Sequence, residues 1–242
     1  MSRFILLFAS VVAMTALTIT ANWVAFDGQT TLESLNRLPV LFAPANYVYL
    51  LGILVFASLF IWLFSYYKIR KQEYFITPMQ TGLFVAIAIL QIVFFITWHY
   101  EVYIVSAITL LVQLLVMYGL YLTYPMTKKG SKMRLPFALF FSYTLFYFFV
   151  ITSYLLVYFT WSGFGLSNGL WAVIMMTIAT ASSLHLRYHH DDIVSPIVFI
   201  WGFIGIIVKN GIDELFVSTA ALFLCGVLVT GMIFMKKNRS AK

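Results

Sequence analysis

A group of histidine and aspartate residues near position 190 has the residue types and spacing of a metal site. His185 and His189 stand four residues apart, so a helix would place both on one face. Together with Asp192 they could coordinate a divalent cation through nitrogen and oxygen ligands. A polar loop accounts for the same residues, and no further ligands accompany them. We therefore predict no metal site and keep these three residues as weak candidates.

Lys209 is a second candidate, for covalent chemistry, because a late lysine in a multi-helix membrane chain could form a Schiff base with retinal. It stands at the end of an apolar run, where a lysine can extend to the membrane surface. The apolar runs hold no carboxylate that could act as its counter-ion. We recognise no nucleophile–base pair, phosphate loop or carboxylate pair and predict no catalytic residue, although an enzyme acting on a lipid or pigment stays an open alternative.

Two aromatic and polar groups fit the walls of a binding pocket. They are the collar, Pro44, Asn46, Tyr47 and Tyr49, and the turn residues Trp98, His99 and Glu101. Interfacial anchors and pocket walls use the same residue types, so both interpretations stay open. Gln80, Gln91 and Gln113 lie inside apolar runs, where amides cross-link helices through hydrogen bonds. Of these three, Gln91 is the one that we expect to contact a ligand.

The composition of the chain is that of an integral membrane protein. Hydrophobic residues make up 62% of the 242 residues and charged residues 10%, whereas a soluble domain carries about 25% charged residues. The apolar runs are continuous over roughly 20 residues, the length that a helix needs to cross a bilayer. We predict an all-α polytopic transmembrane helix bundle of about eight spans. The net charge of +7 is assigned to basic cytoplasmic loops that hold the topology, so no nucleic-acid partner is predicted.

The predicted spans follow from these apolar runs. They are residues 4–23, 44–67, 78–98, 102–124, 135 to about 160, 170–187, 193–208 and 215–235. A signal peptide is the alternative for the first run. Pro44 is expected in the first turn of the second span, where the missing N–H is tolerated. The connection 24–43 is the longest polar one, and long loops often act as lids or binding loops.

The distribution of basic residues predicts the topology. Lys and Arg concentrate after the second, fourth and sixth runs and in the C-terminal tail, at Lys68, Arg70, Lys71, Lys128, Lys129, Lys132, Arg134, Arg187, Lys236, Lys237, Arg239 and Lys242. Cytoplasmic loops carry this excess. We therefore predict a multi-pass cell-membrane protein with both termini cytoplasmic. If either of the last two spans does not cross, the C-terminus and its Lys/Arg cluster would lie on the outer side, against the rule.

Three stretches resemble the TspO/MBR family, also described as tryptophan-rich sensory or peripheral benzodiazepine receptor-like proteins. The entry to the family's second helix matches Phe42, Pro44 and Tyr47. The turn between its third and fourth helices matches residues 98–101, and the start of its fifth helix matches residues 135–137. The resemblance implies a five-helix core over residues 1–160. Residues 161–242 would then be a three-helix C-terminal extension, as in a longer bacterial branch of the family.

The resemblance implies a pocket between helices one, two, three and five for a tetrapyrrole, sterol, carotenoid-like or similar hydrophobic molecule. The protein would act as sensor, carrier or scavenger, with a transporter or permease component as the alternative. A tetrapyrrole cofactor and a homodimer are left open. The residues expected to contact the ligand are Asn22, Trp23, Pro44, Tyr47, Gln91, Trp98, Tyr143 and Tyr147. Leu50 and Leu51 stand where the family has tryptophans, and a tetrapyrrole site depends on such flat aromatic side chains. The resemblance therefore implies a binding pocket more firmly than it implies tetrapyrrole chemistry.

Overall fold

A computed structural model describes residues 2–25, 28–69, 76–124 and 128–235 of the chain. These residues pack as two compact units. The first comprises Met1–Arg37 and Gly52–Thr144, and the second comprises Leu38–Leu51 and Leu145–Lys242. Several residues of the topology prediction lie outside the described residues, namely Arg70, Lys71, Lys236, Lys237, Arg239 and Lys242. The predicted division at residue 160 stays a prediction.

The described residues are helical over most of their length. The helices are α1 Ser2–Trp23, α2 Thr31–Asn36, α3 Leu51–Ile69, α4 Pro78–His99, α5 Tyr103–Leu122, α6 Lys128–Tyr158, α7 Asn168–His190, α8 Val194–Asn210 and α9 Leu215–Phe234. Two short 3-10 segments, Asn46–Leu50 and Gly163–Gly165, precede α3 and α7. Among the described residues, seven helical segments are long and apolar enough to cross a membrane, and α8 is a shorter apolar helix. The predicted all-α polytopic bundle is thus confirmed.

One predicted helix start is wrong, and one helix extends beyond its predicted span. Pro44 lies before the helix, because Ala45 is extended and the 3-10 turn begins at Asn46. The Ala45 N–H donates to the carbonyl of Gly205 at 3.0 Å, which holds this segment against α8. The helix that holds the fifth span begins at Lys128, before the predicted residue 135, whereas its apolar segment, Met133–Tyr158, begins within two residues of the prediction. Pro136 lies inside α6. Hydropathy detects only the apolar part of a helix, so it does not predict the basic first turns of α6.

Polar side chains cross-link the helices of the first unit. The Gln113 amide donates to the Gln91 side-chain oxygen at 2.6 Å and joins α5 to α4. Gln80 donates to Thr123 at 3.0 Å between the ends of the same two helices. Hydrogen bonds of this kind hold helices together where lipid offers no competing partner. All three glutamines, Gln91 included, therefore make hydrogen bonds between helices, as expected for amides inside apolar runs.

Hydrogen bonds fix residues 30–37, in the connection after α1. Thr30 and Glu33 form a reciprocal capping box at the start of α2. Hydrogen bonds from the Thr30 backbone and side chain hold the pKa of Glu33 below its usual value. At the other end of α2, Arg37 donates to the carboxylate of Glu101 at 2.5 Å and to the Tyr103 hydroxyl at 2.6 Å. The turn between α4 and α5 thus fixes the loop within the first unit.

One glycine and one buried arginine make close contacts between segments of the second unit. A Cβ built on Gly205 would lie 2.1 Å from Val48 Cγ2, so only glycine permits this approach of the 3-10 turn to α8. Arg187 of α7 is buried, and its guanidinium donates to the Met232 carbonyl at 3.2 and 3.3 Å and to Asp191. The last carbonyls of a helix have no intrahelical donor, so Arg187 completes the end of α9.

Candidate functional site

A half-open cavity of about 300 Å³ lies within the second unit, between the end of α6, the start of α7 and the chain segment that precedes the collar. Its walls are apolar and aromatic, with a few neutral polar groups. The lining residues are Pro39, Val40, Leu41, Phe42, Ser153, Leu156, Val157, Thr160, Trp161, Gly163, Asn168, Trp171, Ala172 and Met175. Ligand sites typically occupy about 300–1,000 Å³ and combine such walls with a few polar groups.

The wall formed by residues 39–42 is held by contacts with α6 and α8. Phe42 is buried, and its ring centroid lies 5.8 Å from that of Phe146 and 6.2 Å from that of Phe149, both on α6. The Asn210 side-chain amide, at the end of α8, donates to the Leu41 carbonyl at 3.0 Å. An apolar anchor and a hydrogen bond thus position this irregular segment, whose backbone polar groups otherwise lack helical partners.

The turn between α6 and α7 forms the second wall and is fixed to α7. Gly163 has a φ of +61°, a conformation that favours glycine. The indole N–H of Trp171 donates to the Gly163 carbonyl at 2.8 Å. A Cβ on Gly163 would lie 3.0 Å from that same indole nitrogen. The residue at position 163 must therefore be small so that Trp171 can reach the turn.

Two tryptophans meet at this wall. The ring centroids of Trp161 and Trp171 are 4.5 Å apart, with an angle of 58° between the ring planes. Tilted aromatic pairs at this separation are favourable, since the positive edge of one ring approaches the negative face of the other. Because the Trp171 indole N–H is already bonded to Gly163, what this residue offers a ligand is chiefly its apolar ring.

Ser153 supplies a hydroxyl at the wall that α6 contributes. Its side chain is buried, and its Oγ has no hydrogen-bond partner among the described residues. The adjacent Thr152 behaves differently, because its hydroxyl donates to the Phe148 carbonyl at 2.8 Å, as helical threonines commonly do. A buried polar group without a partner is destabilising and calls for an explanation, such as a binding role.

The predicted ligand-contacting residues of the second unit lie outside this lining. Pro44 is buried near Gly205, where it would lie 2.9 Å from a Cβ added to that glycine. Tyr47 makes an edge-on contact with Trp201 at a centroid distance of 5.3 Å. Tyr147 meets Tyr49 edge-on at 6.1 Å. The structure thus places these three residues in packing contacts, and their role toward a ligand stays a prediction.

The remaining predicted contacts belong to the first unit. Gln91 is bonded to Gln113, and Trp98 is buried, with Tyr103 at 4.9 Å and Phe94 at 6.2 Å between ring centroids. Asn22 donates to the Thr18 carbonyl at 2.7 Å, while Trp23 is 85% exposed, as suits an interfacial anchor. The Tyr143 hydroxyl would lie 3.4 Å from a Cβ added to Gly52. None of these residues is among those that line the cavity.

The weak metal candidates are not brought together as a ligand set. The rings of His185 and His189 lie 4.4 Å apart on an exposed face of α7. A carboxylate oxygen of Asp192 accepts the Val194 N–H at 2.8 Å, next to the start of α8. In the part of the chain that the structure describes, no group of three or more potential metal ligands is found.

The cavity residues escaped the sequence analysis because each has an ordinary structural explanation. The segment from Trp161 to Gly169 is typical of an uncharged turn, and a serine inside an apolar run is commonly bonded to its own helix. One feature of the sequence could have indicated the site: Trp161 and Trp171 flank a glycine-rich turn, which follows the run that contains Ser153. Only the fold shows that these residues face residues 39–42.

Comparison with known proteins identifies the family. The model of the family described as TSPO-like protein matches residues 4–234, which include every described transmembrane helix almost completely. No curated protein and no solved structure matches the chain. The match agrees with the resemblance at the collar and with the seven long apolar helices. The chain is therefore a multi-pass membrane protein and belongs to the TSPO-like protein family.

Proposed function

We propose that this protein binds a small hydrophobic molecule in the cavity between α6, α7 and residues 39–42, and acts as a sensor, carrier or scavenger of that molecule. The observation that carries the proposal is the cavity of about 300 Å³ with apolar and aromatic walls. Apolar surface of this kind favours an apolar guest, which gains by leaving water or lipid for a close-fitting wall. The buried Ser153 hydroxyl adds one directional contact.

The position of the cavity supports a binding role. Residues 39–42 end the long connection after α1, and long loops of this kind often serve as lids or binding loops. The resemblance to the TspO/MBR family implies ligand access near this same connection. The other walls come from the end of α6 and the start of α7, which gives the C-terminal helices a part in the site.

The structure favours binding over the transport alternative. Transporters commonly use helices that are interrupted near the middle of the membrane. In the sequence, Pro196 inside the short seventh run, residues 193–208, is the feature that would fit such an interruption. In the structure, Pro196 lies in the first turn of α8, where proline is tolerated, and α8 continues to Asn210.

The charge pattern supports a cytoplasmic location for both termini. Alternate connections carry the Lys and Arg excess, and an even number of crossings returns the chain to its starting side. This topology needs α8 to cross as well as the seven long helices. Its 17 residues correspond to about 26 Å of helix at about 1.5 Å per residue, close to a hydrocarbon thickness of about 30 Å.

A probe titration tests the proposed function. Prodan is a two-ring ketone whose emission shifts to the blue in apolar surroundings. We expect purified protein in lipid nanodiscs to bind it saturably, at a stoichiometry of one per chain, after the signal of empty nanodiscs is subtracted. A signal that follows only the amount of lipid would contradict binding by the protein.

A further inference from the structure

The lining of the cavity restricts the chemical class of the ligand. We infer that the ligand is a compact, neutral ring compound with a single hydrogen-bonding group, which the Ser153 hydroxyl binds, and that it is not a tetrapyrrole. This inference rests on the proposed function and specifies it. Size, charge and polarity each argue for it independently.

The size argument comes from the cavity volume and the stiffness of its walls. About 300 Å³ is the lower limit of the range of about 300–1,000 Å³ that small-molecule sites occupy. The turn is hydrogen-bonded to Trp171, and Phe42 is packed against two α6 rings, so widening the cavity would break established contacts. A ligand of one or two fused rings suits this space better than a macrocycle of four pyrrole rings.

The charge argument comes from the residue types in the lining. All the lining residues are apolar or carry neutral polar groups. An ionised group transferred into such surroundings loses its hydration without gaining a partner of opposite charge. Biological tetrapyrroles carry carboxylate side chains, which would find no cationic partner here. A neutral ligand avoids this penalty.

The polarity argument comes from Ser153. Its hydroxyl is buried and has no partner among the described residues, and the residue itself lines the cavity. A serine side chain changes rotamer at small energetic cost, so the hydroxyl can turn toward a guest. It can donate to a carbonyl or ether and accept from a hydroxyl. A ligand with one such group would satisfy the unpaired hydroxyl.

A matched pair of competitors tests this inference. In 2-acetylnaphthalene a carbonyl oxygen occupies the place of the =CH2 group of 2-isopropenylnaphthalene, at nearly the same shape. Displacement of prodan gives the affinity ratio of the two, which does not depend on the affinity of the probe. We expect the ketone to bind about tenfold more tightly in the unmodified protein, because only the ketone pairs with Ser153.

Ser153→Ala should reduce that ratio to one or below, since the ketone oxygen then lacks the hydrogen-bond donor that Ser153 supplies. The matched control is Ser142→Ala, because Ser142 is buried on the same helix, also lacks a partner among the described residues, and does not line the cavity. This control should preserve the tenfold ratio. Ser153→Ala should leave the unfolding midpoint equal or higher, because it removes an unsatisfied polar group. A fall in the affinity ratio of the two competitors can then not be attributed to misfolding.

The outcomes separate this inference from the proposed function. Equal affinities of ketone and alkene in the unmodified protein, or an unchanged ratio in Ser153→Ala, would overturn the role of Ser153. Competitive displacement of prodan by protoporphyrin IX would overturn the exclusion of tetrapyrroles. If prodan itself shows no saturable binding, the proposed function fails before the ligand class is at issue.

Discussion

Ala172→Phe is expected to weaken prodan binding by about 100-fold, equivalent to about 2.7 kcal/mol. Ala172 is buried on α7 and lines the cavity, so a benzyl group at this position occupies the space that a ligand needs. Filling an apolar cavity does not by itself destabilise the surrounding fold, unlike overpacking a closed core. Titration of the variant in nanodiscs measures the effect directly.

The matched control for this substitution is Ala181→Phe. Ala181 lies on the same helix but is exposed, so the same side chain should leave prodan affinity unchanged. Unfolding midpoints of both variants show whether the helix bundle tolerates the added ring. Unchanged affinity in a folded Ala172→Phe protein would place the ligand elsewhere. Ala172→Val, a smaller change, should give an intermediate loss.

Gly205→Ala is expected to lower the free energy of unfolding by about 3 kcal/mol, at the upper end of the effects of overpacking. The added Cβ would meet Val48 Cγ2 at 2.1 Å and Pro44 Cβ at 2.9 Å, and neither the proline ring nor the β-branched valine can turn away easily. Separating the two segments would also weaken the bond from the Ala45 N–H to the Gly205 carbonyl. Chemical unfolding in mild detergent measures the change.

Gly226→Ala provides the control for Gly205. Gly226 lies inside α9, and a Cβ at this position would meet nothing within 4 Å. Alanine there should be neutral or stabilising by up to about 1 kcal/mol, because glycine is a poor helix former. Equal stabilities of the two variants would show that the close approach of the collar to α8 is unimportant for folding.

The apolar runs were enough to predict the membrane helices, because the length and continuity of such a run can be read directly from the sequence. Residues 78–98 and 215–235 correspond closely to α4 and α9. The starts of the helices that hold the second and fifth spans could not be predicted in the same way. Pro44 is held outside its helix by contacts with a glycine 161 residues later in the chain, and α6 begins in a basic segment that hydropathy does not register.

The site was less predictable than the spans, since it depends on which residues meet in space. Gln91 looked like a ligand contact, yet its amide oxygen already accepts from Gln113, whereas Ser153 looked like an ordinary helical serine and has no partner among the described residues. Hydrogen-bond partners are set by helix packing and cannot be read from residue type alone. The family resemblance pointed to the long connection after α1, part of which does line the cavity.

Photolabelling with 3-trifluoromethyl-3-phenyldiazirine, a compact neutral ring probe, tests most directly whether the cavity holds a ligand. After irradiation and proteolysis, mass spectrometry should find saturable label on residues 153–175 and 39–42. Ala172→Phe should abolish that label, and Ala181→Phe should preserve it. Saturable label confined to α4, near Gln91 and Trp98, or label on residues 153–175 that the cavity-filling variant leaves unchanged, would contradict a binding site in this cavity.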